Sequence, residues 1–163
     1  MEALIAEQRE VAQNIVLYTP PFQYSKGLNE FQKSGYTYRM KDINVAKRSA
    51  EEFILIHQLF LSDRTGEIIS KDFLKLTYPS RWKYDILRAL DYFAHAKRKW
   101  DDRMNPAVEV MLKKRNKDNT WNVQAHHSGK VHFEMEKAGQ PSRWNTLRAM
   151  RILKHFKIET PGG

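Results

Sequence analysis

Cysteine is missing from this chain of 163 residues, so it can form neither a disulfide nor a thiolate metal site. Long apolar runs are missing too. Nothing approaches the roughly eighteen residues that a membrane-spanning helix needs. The opening stretch, MEALIAEQREVAQ, is acidic and amphipathic. It lacks the basic head and apolar middle of a secretion signal, so a cytoplasmic location is the expectation. No glycine-rich phosphate loop, nucleophile elbow or kinase signature occurs, which removes the common phosphate-cradling and acyl-transfer motifs. Apolar residues make up 41% of the chain, enough for one packed core and too many for a disordered segment.

The formal net charge is +9. Such a balance suits nucleic acid, an anionic membrane surface or a phosphorylated ligand, and equally a well-solvated surface. The cations are dispersed. The densest runs, Lys97-Arg98-Lys99 and Lys113-Lys114-Arg115, fall at expected helix ends, where cations complement the helix dipole.

Apolar periodicity predicts a helix over 2–17, ended by Pro20-Pro21, and a short helix around Leu28–Gln32 before a turn at Ser34-Gly35. A helix over Ala46–Leu61, capped by Asp42 or Asn44, is apolar on most sides and is expected between neighbours. SDRTGE ends it, with Gly66 left-handed. SKDFLKL reads as one or two short helical turns. Further helices are expected over Ser80–Lys97, Pro106–Arg115 and Ser142–Phe156. VHFEM, within the long loop before the last of these, is expected as a short strand or extended piece. Residues 158–163 read as a loose tail.

The tetrapeptide PSRW heads two of these helices, at Pro79–Trp82 and Pro141–Trp144, 62 residues apart. The copies continue as LRAL (Leu87–Leu90) and LRAM (Leu147–Met150). Tyr84, Arg88, Asp91 and His95 form one stripe at i, i+4, i+7, i+11, and Trp144, Arg148, Arg151 and His155 repeat it. Each copy thus offers a polar stripe opposite a core-filling face. In this reading PSRW is a repeat corner. Pro79 and Pro141 start the helices, the serines cap them and Trp82 and Trp144 are buried anchors. Arg81 and Arg143 stack on tryptophan or bond neighbouring carbonyls. Asp118 and Trp121 form a turn lock. The expected architecture is all-α, with stacked antiparallel helical hairpins in a single domain: an extension over 1–41, then hairpin repeats over 42–157.

The turn Leu112-Lys-Lys-Arg-Asn-Lys-Asp-Asn-Thr-Trp121 resembles the L-x-x-x-Q-x-x-D-G-x-W turn of the prenyltransferase and squalene-cyclase repeat families. The block from Phe53 to Phe156 is similar to uncharacterised bacterial proteins grouped with that superfamily. The resemblance implies an α/α toroid, here an incomplete one, with paired helices lining a cavity. Asn119 stands where the family turn has glycine. The acidic motif of the cyclases is absent, and without cysteine the zinc set of the protein prenyltransferases cannot be assembled.

Three functions follow as expectations. The first is a binding module that holds an apolar or anionic small molecule, or a peptide, against Tyr84, Arg88, Asp91, His95, Trp144, Arg148, Arg151 and His155. In it Arg88 and Arg148 grip one anion, and Asp91–His95 is an oriented base. Against this, the stripes can be solvated faces holding ordinary helical charge pairs. The second is an isoprenoid-type enzyme or its remnant; the third is nucleic-acid binding through net charge. No metal site or cofactor is expected, since His126, His127 and His132 lack ligand spacing. A homo-oligomer, or a piece of a longer chain, fits the incomplete toroid.

Overall fold

In the computed structural model, residues 34–35, 37–80, 84–124 and 132–159 are described. About half of them are helical, in four α-helices joined by short 3-10 turns and one two-stranded antiparallel ribbon. This corrects the all-α expectation: among the described residues the helices form neither stacked hairpins nor a toroid. The helices surround one central helix instead of stacking in pairs.

Helix α1 spans Met40–Ile56. It begins six residues earlier than its periodicity suggested and buries only Glu51, Ile54 and Leu55, so it is not sandwiched. A 3-10 turn, Lys71–Leu74, follows, with the Ser70 hydroxyl accepting from the Asp72 amide. Helix α2 spans Ile86–His95. The expected start at Ser80 fails, because the cap lies five residues further on. Asp85 is the cap, its Oδ1 accepting from the Arg88 amide at 2.8 Å. A second 3-10 turn, Asp102–Met104, leads into α3, Asn105–Lys113, which carries Pro106 in its first turn as expected. Strand β1, Trp121–Asn122, pairs with β2, Pro141–Ser142, in the register Trp121 to Ser142 and Asn122 to Pro141. Pro141 is therefore a strand residue and not the first residue of a helix. Ser142 caps α4, Arg143–Phe156, accepting from the Asn145 amide. The VHFEM expectation fails over His132–Met135, where the chain bends and no strand forms.

The core gathers on α2. Ile86, Leu87, Leu90 and Phe93 meet Leu76, Met104, Met111, Trp121 and Ile152. Trp121 is 1% exposed, and its indole N–H donates to the Met111 carbonyl at 2.7 Å. The turn before it is locked as expected, with Asp118 Oδ1 accepting from the Thr120 amide and hydroxyl at 3.1 and 2.6 Å. Asn119 takes the left-handed conformation, φ 66°, which asparagine tolerates better than most residues. Gly66 does the same at φ 70°. Tyr84 precedes α2 and donates its hydroxyl proton to the Leu59 carbonyl at 2.6 Å, which ties the end of α1 to the core. Glu51, buried on α1, accepts from Tyr92 and pairs with Arg98 at 2.7 Å. Arg98, from a run expected to be solvated, is thereby a bracket between α1 and the end of α2. The expected helices over 2–17 and Leu28–Gln32 lie outside the described residues.

Candidate functional site

The two stripes face each other. Arg151 Nη1 donates to Asp91 Oδ1 at 2.9 Å. Arg148 Nη1 donates to Ser80 Oγ at 3.1 Å, and His155 Nε2 donates to the Arg98 carbonyl at 3.0 Å. The partners climb together along the chain, so α2 and α4 run side by side in the same direction. The recurring stripe is thus a seam between the two helices, in which opposite charges are paired, and not the wall of a groove.

Asp85 is the buried centre of the seam. Its Oδ2 accepts from the Thr77 hydroxyl at 3.3 Å. Burial pushes its carboxyl up to about 6, and the bond from the Arg88 amide and the Arg148 and Arg88 guanidiniums pull it partly back. Burial in turn lowers Arg88 from its ordinary value. The seam therefore brings Arg88 and Arg148 into one electrostatic neighbourhood, with a carboxylate between them. Burial also pushes the Tyr84 hydroxyl well above its usual range, and that hydroxyl is committed to Leu59. His95 lies exposed at the end of α2, four residues from an Asp91 that is already paired.

The tryptophan of the second copy does not anchor the core. Trp144 is 44% exposed; one side of its ring stacks on Tyr78 at 5.5 Å between centroids, and the Arg148 guanidinium lies 5.4 Å from the Tyr78 ring centre. The burial expected of Trp144 fails because α4 has neighbours on one side only. Arg143 is exposed, and its backbone N–H donates to Glu136 Oε1 at 2.9 Å. Among the described residues its side chain bonds no tryptophan and no carbonyl, so the expected repeat-junction role finds no support. Arg81, Trp82, His126 and His127 lie outside the described residues, and His132 is exposed. Among the described residues no group of three or more His, Asp or Glu side chains is placed to hold a metal ion.

What remains open is the outer face of α4. Trp144, Leu147 and Met150 are 44%, 49% and 58% exposed and form a ridge at i, i+3, i+6. The core side of the same helix is Asn145, Ala149 and Ile152. On a helical wheel Leu147 and Met150 lie about 160° and 100° from Ala149. This signal was present in the sequence. The LRAM match to LRAL hides it, because Leu87 and Leu90 are core residues whereas Leu147 and Met150 are not. Asp85 was also legible, as an aspartate three residues before Arg88 at a helix start.

Comparisons with protein-family models, curated proteins and solved structures find no match to this chain.

Proposed function

We propose that the chain is a docking module whose α4 face holds a peptide segment of another protein. The observation that carries this reading is the Trp144–Leu147–Met150 ridge. A polar helix face needs no large apolar side chains, and three in register make a contiguous patch of the kind that marks an interaction surface. Tryptophan, methionine and arginine are also the residue types enriched where proteins meet. Small-molecule binding along the stripes is the weaker reading, since Asp91 and Arg151 are engaged with each other, Arg148 with the Ser80 hydroxyl and Tyr84 with the Leu59 carbonyl.

The test is a selection of random 16-residue peptides on the full-length protein, followed by counter-screening on Leu147→Ser/Met150→Ser. Peptides selected on the wild type should bind the variant at least about tenfold more weakly, in line with losing two buried interface side chains. Peptides that hold both proteins equally well would put the binding face elsewhere.

A further inference from the structure

Resting on that reading, we infer that the occupant of the α4 face is an acidic amphipathic helix, with carboxylates about eleven residues apart bracketing its apolar ridge.

The charge of α4 is one-sided. It contains Arg143, Arg148, Arg151 and Lys154 and no aspartate or glutamate. Arg148 turns inward to Ser80 and Tyr78. Arg151 is held by Asp91, yet its side chain stays 45% exposed. Arg143 and Lys154 are exposed and have no ion-pair partner among the described residues. Lys154 suits the last turn of a helix. Arg143 does not suit the first turn, where the dipole is positive. That end is already served by Glu136, which accepts from the Ser142 hydroxyl and the Arg143 amide. The Arg143 side chain therefore gains nothing from α4 itself.

Geometry narrows the partner further. Side chains of the ridge recur every three residues, about 4.5 Å along the axis. One face of an extended strand repeats every 6.6–6.8 Å or so and falls out of step. A partner helix with apolar residues at i, i+3 or i+4, and i+7 keeps step and can interdigitate. Arg143 and Lys154 are eleven positions apart, roughly 16 Å of helix. On the wheel they fall between Leu147 and Met150, so they close the two ends of the ridge.

That placement argues against the other occupants. A bilayer that took up the ridge would have to desolvate both cations. A second copy would set cation against cation. A nucleic acid would leave Leu147 and Met150 against phosphates. A helix carrying an acid at each end answers every group on the face.

The experiment uses the full chain and three fluorescein-labelled 18-residue amphipathic peptides, read by anisotropy. The first has a leucine ridge bracketed by glutamates eleven residues apart, the second glutamine at those two positions, and the third the glutamates moved to seven apart. The acidic peptide should bind about tenfold more tightly than the other two in low salt, and the advantage should shrink in 0.5 M salt as charges are screened (about a 4 Å Debye length). Arg143→Glu combined with Lys154→Glu should abolish the preference and leave the glutamine peptide within about twofold; circular dichroism checks that the variant is folded. Equal binding of all three peptides overturns the acidic partner while the docking reading stands. No binding by any of them, when randomly selected peptides do bind the face, overturns the helix geometry as well. A dimer in sedimentation that Leu147→Ser/Met150→Ser dissolves would give the face to a second copy. Uptake by phosphatidylserine vesicles without peptide binding would give it to lipid.

Discussion

Helices α2 and α4 share the LRA tripeptide and the same polar stripe, yet nine of the ten residues of α2 are buried and three of the fourteen of α4. Neighbours make the difference. Helices α3 and α4 pack on α2, Glu51 ties α1 to it through Tyr92 and Trp121 joins the same core, whereas α4 meets α2 and the ribbon on one side only. A repeated motif can specify a helix and one face of it. It cannot specify how many elements will come to lie against that helix.

The comparison is broken most directly at Leu90 and Met150, the matched last positions of LRAL and LRAM. Leu90→Ala should cost about 3–5 kcal/mol in urea denaturation, because a fully buried leucine leaves a cavity in the middle of the core. An effect under 1 kcal/mol would mean that α2 is not the centre of the fold.

Next in size is the buried carboxylate of the seam. Burial raises Asp85 to about 6, above the value near 4 of the unfolded chain. The native state therefore holds this proton more tightly than the unfolded state. The stabilisation is fully present below about pH 4 and is lost as pH rises through 6. Measured against Asp85→Asn, which keeps a cap and cannot ionise, the wild type should lose on the order of 2–3 kcal/mol between pH 4 and pH 7 in paired melts. A wild-type-to-variant difference that does not change with pH would mean that Asp85 ionises without penalty.

The Asp91–Arg151 pair, half of it exposed, should show a coupling of about 0.5–1 kcal/mol in a double-mutant cycle with Asp91→Asn and Arg151→Gln. Zero coupling would remove ion pairing from what holds the seam together. Smallest of all, Met150→Ala should change stability by no more than about 0.5 kcal/mol, as surface substitutions do. A loss rivalling that of Leu90→Ala would show that the two helices are equivalent after all.

Short-range features were readable from sequence: the Asp118–Thr120 lock, the left-handed Gly66 and Asn119, Pro106 at the start of α3, and α4 to within a residue at its start. Each is decided within a few residues, so local chemistry suffices. PSRW was misread because its two copies answer to different partners. The first lends Ser80 to Arg148, and the second lies partly in a strand. Two-residue strands carry no periodicity to detect. The toroid failed for the same reason that Trp144 did: both judgements needed the count of packing neighbours. Of the candidate site, the stripes were legible as surfaces, but not as surfaces turned toward each other.

Asn145 has a consequence of its own. Its side-chain N–H groups donate to the Leu76 carbonyl, 69 residues earlier, and to the Asn122 carbonyl, at 3.1 and 3.2 Å. One amide thus staples three stretches of chain that are far apart in sequence. A protease that cut just before α4 would not trim an appendage. It would uncover the Asp91 side of α2 and take the Asn145 amide away from the Leu76 and Asn122 carbonyls in a single event. The C-terminal helix is therefore kept or lost together with the core, and partial digestion should yield the whole described body or fragments too small to fold.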